Sequence, residues 1–395
     1  MKIGMILDHV YPADPRVKNE AESLLESGFE VYLFCLSFKK NFVKNEIIDG
    51  INICRFYCSK ITYKLSALAY TLPFYKYIMS KKIEKFISVN YIDILHVHDI
   101  QIASSVFLAN KFFKLDVVLD LHENRPEIMK YYKHVNSFIG KILINPKKWK
   151  KAEEFFIKRS NKVIVVTEHA KKELTDRLSI EKEKIVVFPN TVSKKFYRDF
   201  KIDKKISRNY SGNFVMLYIG NTSKRRGLDL VLENIPKIIT EIKNFKFVVV
   251  GSSSYDREIK KKVEYLKIED YVDLEGWKDE TLFQSYISSS SIGVSPLESN
   301  LHHDTTYANK IFQYLSLGCP VLCSDVVAQR DLINKYKFGL LFKSGDSDDF
   351  LNKVMEMYRD KILLLELKKN AKNAIVNSLN NSLVSKNMVR IYEKQ

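Results

Sequence analysis

Tyr218-Ile-Gly-Asn-Thr-Ser-Lys-Arg-Arg-Gly-Leu-Asp-Leu-Val-Leu232 reads, in one run, as the end of a strand, a cationic loop and the start of a helix. The apolar run Phe214–Ile219 ends at Gly220, which opens the loop. Lys224, Arg225 and Arg226 follow, and Gly227 leads into a segment with Leu228, Val231 and Leu232 at helical spacing. Free N–H groups at a helix start attract an anion, and cations on the loop before it complete a phosphate site. An ordinary solvated turn needs no three consecutive cations. The pattern is neither a P-loop nor GxGxxG, so neither ATP nor NAD follows from it.

The same strand–helix alternation extends outward in both directions. Lys2–Leu7, Val31–Cys35, Ile51–Phe56, Ile94–Val97, Val117–Leu121, Val163–Val166 and Ile185–Phe188 read as strands before it. Phe214–Ile219, Phe247–Val250, Val272–Leu274, Ser291–Val294, Val321–Cys323 and Gly339–Phe342 form a second series. These runs lack strict polar alternation, as strands covered on both faces do. Helical patterns such as Val17–Ser27, stopped by Gly28, lie between them. Repeated βαβ units imply parallel strands with right-handed crossovers. The polar stretch Ser193–Gly212 holds seven Lys/Arg and reads as a linker. The expected architecture is α/β, two doubly wound Rossmann-like domains facing across a cleft, with ligand at the carboxyl ends of the strands. The expected boundaries are 1–195, 196–375 and a C-terminal helix, 376–395, packing back toward the N-terminal domain. Asp348 to Gln395 reads as helical throughout.

Composition narrows the class. The chain has 395 residues, 46% of them apolar, with only 13 Gly and 9 Pro, which excludes collagen-like and linker-dominated architectures. Five cysteines, Cys35, Cys54, Cys58, Cys319 and Cys323, lack the His/Cys-rich loops of zinc sites and read as buried thiols in a reducing compartment. The N-terminal apolar run ends at Asp8 without a cleavage site and reads as a first strand. No stretch reaches the roughly 18 apolar residues of a membrane span. The expected location is therefore cytoplasmic, peripheral on the inner face of the cell membrane. Net charge is +17, and residues 51–150 hold 16 Lys/Arg against 7 Asp/Glu. Between Gly50 and Tyr91 the only acid is Glu84, and Arg55, Lys60, Lys64, Lys76, Lys81, Lys82 and Lys85 interleave with Tyr and Phe. A similar mixture recurs over Lys130–Trp149, with Tyr131, Tyr132, Phe138, Lys141, Lys147 and Lys148. Such a surface suits an anionic membrane. A general lysine bias, with the aromatics in the core, is the plain alternative.

A second constellation is Ser295-Pro-Leu-Glu-Ser-Asn-Leu-His-His-Asp-Thr-Thr-Tyr-Ala-Asn-Lys-Ile-Phe-Gln-Tyr-Leu-Ser-Leu-Gly-Cys-Pro-Val321. A strand end and a polar loop precede a helix beginning near Ala308, with Asn309, Lys310 and Gln313 in its first turns. Lys310 and Gln313 share a face, so one can hold a phosphate while the other reaches a sugar hydroxyl.

These segments resemble the donor half of GT-B glycosyltransferases, in particular the retaining family 4. Asp14-Pro-Arg-Val-Lys-Asn-Glu-Ala-Glu-Ser-Leu-Leu-Glu-Ser-Gly-Phe-Glu-Val, Ile94-Leu-His-Val-His-Asp, Asp120-Leu-His-Glu-Asn-Arg-Pro-Glu and Phe188-Pro-Asn fall in that family's order, so the resemblance covers nearly the whole chain. It implies that Arg226 grips the donor diphosphate, that Lys310 is a second cation on the same group, and that His122 faces the transferred sugar. It places Gly220, Asn221, Lys224, Arg225, Asn300, Asn309 and Gln313 on the donor, with Trp277 bordering the base. Asp8, Arg16 and His98 fall on the acceptor side. Three positions depart from the family. Asn221 stands where many members have arginine. Gln313 replaces a glutamate, whose partner eight residues earlier is Thr305. Asp8-His-Val-Tyr-Pro replaces a glycine pair.

The resemblance implies a retaining, metal-independent hexosyl- or N-acetylhexosaminyltransferase, with no cofactor beyond a nucleotide-sugar co-substrate. UDP is the first expectation for the base and GDP the second. A saccharide or lipid-linked saccharide of a surface polysaccharide, capsule or lipopolysaccharide is the expected acceptor, and nucleic acid is not an expected partner. Two other readings fit the same residues: a nucleotide-sugar epimerase on this fold, and a non-catalytic basic scaffold for membrane or nucleic acid. Asp346-Ser-Asp348 spells the DxD of metal-dependent transferases but reads as a helix cap. His302-His303-Asp304 reads as a donor-site loop, and Trp277 could equally pack.

Overall fold

The computed structural model describes residues 1–393, apart from the side chains of Lys133, His134, Ile139 and Ile142. The last two residues of the expected C-terminal helix, Lys394 and Gln395, lie outside the described residues. The chain divides into two units. One comprises Met1–Pro189 with Ser385–Gln395, the other Asn190–Val384.

The strands of the first unit are β1 (Lys2–Ile6), β2 (Glu30–Ser37), β3 (Asn45–Ile48), β4 (Ile51–Tyr57), β5 (Ile94–His98), β6 (Asp116–Asp120), β7 (Lys162–Val165) and β8 (Ile185–Val187). They form one sheet in the order β3-β4-β2-β1-β5-β6-β7-β8. All pairs are parallel except β3 with β4. Starting at β1 the chain winds outward to β4 and then crosses over to β5, so the sheet is doubly wound and its switch point lies between β1 and β5. Val31, Leu33, Phe34 and Leu36 on β2, and Ile94, Leu95 and Val97 on β5, are fully buried, as helices on both sheet faces require.

The second unit contains β9 (Phe214–Ile219), β10 (Phe245–Val250), β11 (Val272–Gly276), β12 (Ile292–Ser295), β13 (Val321–Ser324) and β14 (Gly339–Phe342). Their order is β11-β10-β9-β12-β13-β14, all parallel. This is the dinucleotide-fold order, with the switch point between β9 and β12. The two quoted constellations follow those two strands.

One expectation needs correction. Ser193–Gly212 is not a linker. It forms helices Lys194–Arg198 and Lys204–Tyr210, and Phe196, Ile206 and Tyr210 enter the second unit's core while the lysines stay outside. The division therefore falls at Pro189–Asn190. The C-terminal segment is helical, as expected, and is divided into three helices. Ser347–Arg359 ends at Asp360, whose side chain caps the next helix by accepting from the Leu363 N–H at 2.8 Å. Lys361–Asn377 and Asn381–Glu393 follow. Finally, β3 was not anticipated. Its alternating exposed and half-buried residues carry no apolar run, as suits an edge strand.

Candidate functional site

In the second unit, Lys224–Arg226 forms a single tight turn after β9, and Gly227 starts the helix Leu228–Glu241. Gly227 has φ +76°, and a Cβ there would lie 1.7 Å from the Pro296 carbonyl oxygen, so only glycine lets the two constellations touch. Gly220, at φ +122°, lies beside Lys310, whose Cε would sit 3.6 Å from a Cβ at that position. No side chain caps the helix at Gly227.

Lys310 starts the helix Asn309–Ser316 and is 7% exposed. Its ammonium stands over the Tyr218 ring, 3.2 Å from the centroid. Among the described residues neither Lys310 Nζ nor the buried Arg226 Nε has a hydrogen-bond partner. Burial, and then the neighbouring Arg226 charge, push the Lys310 pKa well below the usual lysine value. Two cations that destabilise each other in a buried place, with donors unspent, form a site shaped for an anion of more than one charge.

The loop before that helix supports the cations. Asn300 caps Leu301–Asp304 by accepting from the His303 N–H at 3.0 Å. The His303 ring lies 2.7 Å from the Glu298 carbonyl through Nδ1 and 2.9 Å from Arg225 through Nε2. Burial lowers the pKa of His302 to about 2 and that of His303 to about 4, with Arg225 and Arg226 adding to the effect. Both rings are neutral, so His303 can accept from Arg225 and orient it. Thr305 turns its hydroxyl to the Leu301 carbonyl at 2.7 Å. Asp346 caps its helix, accepting from the Asp349 N–H at 3.0 Å, which accounts for the apparent DxD. Gln313 is half-buried, while Asn221, Lys224 and Asn309 are exposed. Trp277 is 74% exposed and so has no packing role.

In the first unit, Pro15–Glu26 is a helix capped by Asp14, and it buries Arg16 and Glu20 one turn apart. Arg16 holds Asp120, at the end of β6, with two nitrogens, Nε at 2.9 Å and Nη2 at 2.5 Å. It also stands 3.0 Å from Glu20 and donates to the Phe188 carbonyl at 2.9 Å. Asp120 Oδ2 lies 2.9 Å from His122 Nε2 and 3.3 Å from His98 Nδ1. His96 lies 3.2 Å from Glu20 and, through Nδ1, 2.6 Å from the hydroxyl of Tyr392. Burial would raise the Asp120 pKa, but Arg16 and His122 hold it well below the ordinary value. Burial would lower that of His122, but Asp120 and Asp99 raise it to about 10, so His122 is an imidazolium at neutral pH. Glu20, His96, His98 and Asp120 bring ligand atoms within 4.8 Å of one another. Arg16 already supplies the positive charge that a metal ion would bring there.

Arg16 and His98, expected on the acceptor side, are 2% and 1% exposed, and Arg16 fixes Asp120, which in turn holds His122. Asp8 is also enclosed, bonded by the Tyr75 hydroxyl and, at 2.7 Å, by the Gln101 amide, which itself accepts from Arg125 at 2.7 Å. Burial, against those bonds, raises its pKa to about 7. Sequence reasoning missed Glu20 and Asp120. The signal was available in the four-residue spacing of Arg16 and Glu20 on an apolar helix face.

All five cysteines are free and buried. No helix among the described residues is long and apolar enough to cross a membrane. Of the basic aromatic stretches, Tyr75, Phe86 and Trp149 are core, whereas Phe74, Tyr77 and Phe138 are more than half exposed.

The sequence model described as glycosyl transferases group 1 matches residues 199–374, and that of Glycosyltransferase Family 4 matches residues 15–196. A Staphylococcus aureus protein, capsular polysaccharide biosynthesis glycosyltransferase CapM, is 20% identical over 49% of this chain and 49% of its own length. An Escherichia coli UDP-Gal:alpha-D-GlcNAc-diphosphoundecaprenol alpha-1,3-galactosyltransferase is 25% identical over 59% of each chain. The chain thus spans only about half to three-fifths of these two relatives. Among solved structures, sucrose-phosphate synthase from Thermosynechococcus elongatus superposes with a TM-score of 0.78 at 17% identity, covering 100% of this chain and 98% of that one.

Proposed function

This chain belongs to the family 4 glycosyltransferases of GT-B fold, and on that premise we propose that it moves a hexosyl or N-acetylhexosaminyl group from a UDP-sugar to a saccharide or lipid-linked saccharide. The observation that carries the reading is a pair of buried, unspent donors, Lys310 Nζ beside Gly220 and Arg226 Nε. A nucleoside diphosphate supplies the two or more negative charges that such a pair lacks. As the bond to the sugar breaks, charge builds on the leaving diphosphate, and fixed cations in a dry site stabilise it most when it is greatest. Arg226 and Lys310 do this without a metal ion, so the reaction is metal-independent in this reading. Arg225, oriented by neutral His303, adds a third cation at the rim, and the Gln313 amide takes a ribose hydroxyl. Retention of configuration is carried by the family alone.

UDP is favoured by the donor in the E. coli relative's name, a lipid-linked acceptor by the diphosphoundecaprenol in the same name, and a surface-polysaccharide role by the name of the S. aureus relative. A peripheral site on the inner face of an anionic membrane is supported by the helix Phe74–Asn90, which exposes Phe74, Tyr77, Ile78, Lys81 and Lys85. Aromatic rings settle at headgroup depth, and each lysine near an anionic leaflet adds about 1 kcal/mol.

A thermal-shift panel of UDP-, GDP- and dTDP-sugars tests the reading. A ligand at about 100 times its dissociation constant stabilises by about 2.7 kcal/mol. No shift with any nucleotide sugar would refute it and leave the basic scaffold standing. Turnover of a nucleotide sugar with no acceptor present would point to the epimerase.

A further inference from the structure

Asp99 closes β5 with φ 64° and ψ 156°, a conformation that glycine adopts freely and other residues adopt only under strain. Helix capping does not account for it. The helix Ile100–Ala109 begins at the next residue, but the Asp99 side chain makes no cap bond to it. The Asp99 N–H instead donates to the Asp120 carbonyl at 2.8 Å, which pins the backbone in the strained form.

The strain aims the carboxylate. Oδ1 accepts from the His122 N–H at 3.4 Å, a long bond, and Oδ2 lies 3.9 Å from His122 Nδ1. On the other side, Asp99 is the first charge that raises the pKa of Arg125, against the lowering by burial. Asp120 and Glu20 are fully buried and engaged by Arg16, whereas the Asp99 side chain is 21% exposed. Asp99 is thus a carboxylate that is reachable from solvent, poorly spent on protein donors and held between two cations.

We propose that Asp99 is an acceptor-binding residue whose carboxylate accepts hydrogen bonds from hydroxyl groups of the acceptor saccharide. A carboxylate offers two oxygens to a pair of neighbouring hydroxyls, and such charge-assisted bonds are about twice as strong as neutral ones. The His122 N–H fixes the direction of the group. Strain of this kind persists where the surrounding structure holds it for a task. The proposal rests on the transferase reading and adds the position of the acceptor.

Three measurements on the full chain, with Asp99→Gly and Asp99→Asn, test it. In thermal melts Asp99→Gly should unfold no earlier than wild type, because glycine relieves the strained backbone. In saturation-transfer NMR with glucose, galactose and N-acetylglucosamine, a signal from at least one sugar on wild type should vanish in Asp99→Asn. In transfer assays both variants should lose at least thirtyfold in kcat/KM for the acceptor, while UDP affinity stays within twofold. Earlier melting of Asp99→Gly by several degrees would make the side chain structural and overturn the proposal. So would a sugar signal equal in wild type and Asp99→Asn, or absent from wild type. Failure of the transferase reading looks different: wild type itself would not bind UDP, while the sugar and melting results would still decide the role of Asp99.

Discussion

The Lys310 ammonium lies 3.2 Å from the centre of the Tyr218 ring, and that ring's hydroxyl donates to the Asn221 carbonyl at 2.5 Å. One aromatic side chain therefore supports the buried cation and also pins the start of the cationic loop. The cation–π contact offsets part of the cost of burying Lys310, yet its pKa remains well below the lysine range. Lys310→Met should then raise stability by on the order of 1 kcal/mol, since it removes a buried polar nitrogen without a hydrogen-bond partner and keeps the volume. Lys310→Ala and Arg226→Ala should each cost on the order of 2–4 kcal/mol in transition-state stabilisation, tenfold to a thousandfold in rate. Chemical denaturation alongside steady-state kinetics checks both, and kinetics within threefold of wild type would remove the residues from the donor site.

In the proposed donor site the Gln313 amide takes a ribose hydroxyl. Gln313→Glu should preserve or tighten UDP affinity, because a carboxylate accepts stronger bonds from ribose hydroxyls. Gln313→Ala should weaken it by about tenfold, the scale of one hydrogen bond of about 1–1.5 kcal/mol. Calorimetry with no change in either variant would mean that the ribose is held elsewhere.

Arg16 discriminates between a ligand-touching and a supporting role. Removing one partner of a buried ion pair leaves the other uncompensated, at a cost of about 3–5 kcal/mol. Arg16→Met should therefore lower stability by that order and raise the His122 pKa, measured by NMR, still further, because Arg16 is the charge that opposes the imidazolium. A stable Arg16→Met protein that has lost only acceptor affinity would support the acceptor assignment.

The stability contributed by His122 should depend on pH in a defined window. Its folded pKa is raised to about 10, from an unfolded value of 6.5. The contribution is full below pH 6.5 and declines as pH rises, because the unfolded chain releases its proton while the folded chain keeps it. The difference in unfolding free energy between wild type and His122→Asn should thus shrink between pH 6.5 and 10, by at most about 1.4 kcal/mol per pH unit. A difference independent of pH would show that Asp120 and Asp99 do not hold an imidazolium.

Sedimentation with vesicles tests the membrane surface. Binding should require anionic lipid, fall with added salt, and drop when Lys76, Lys81, Lys82 and Lys85 become Gln. Equal partitioning onto neutral and anionic vesicles, or none onto either, would leave the exposed Phe74 and Tyr77 without that role.

Most of the fold was legible because buried parallel strands write themselves as unbroken apolar runs. Phe214–Ile219 and Gly339–Phe342 match the observed strands residue for residue, and the others differ by one or two residues at an end. The edge strand Asn45–Ile48 left no such trace, since half of it faces solvent. The segment 193–212 misled because its three core residues, Phe196, Ile206 and Tyr210, are outnumbered by surface lysines and arginines. At the site, the local signals were readable: Lys224–Arg226 before a helix, and Lys310 at the head of another. The Arg16–Asp120–His122 chain was not, because Arg16 lies 104 positions from Asp120 along the sequence and only the parallel order of β1, β5 and β6 gathers them. The resemblance put Arg16 on the acceptor side, and the pairing with Asp120 that lets it be buried left no local trace.

The central claim, that Lys310 and Arg226 receive a nucleoside diphosphate, is tested most directly by calorimetric titration of UDP at pH 8 in two buffers of different ionisation enthalpy. Wild type should bind UDP and take up a proton as the diphosphate restores the charged form of Lys310. Lys310→Met, still folded, should bind at least tenfold more weakly and take up none. Equal UDP affinity in the two proteins, or no UDP binding by wild type, would contradict the account.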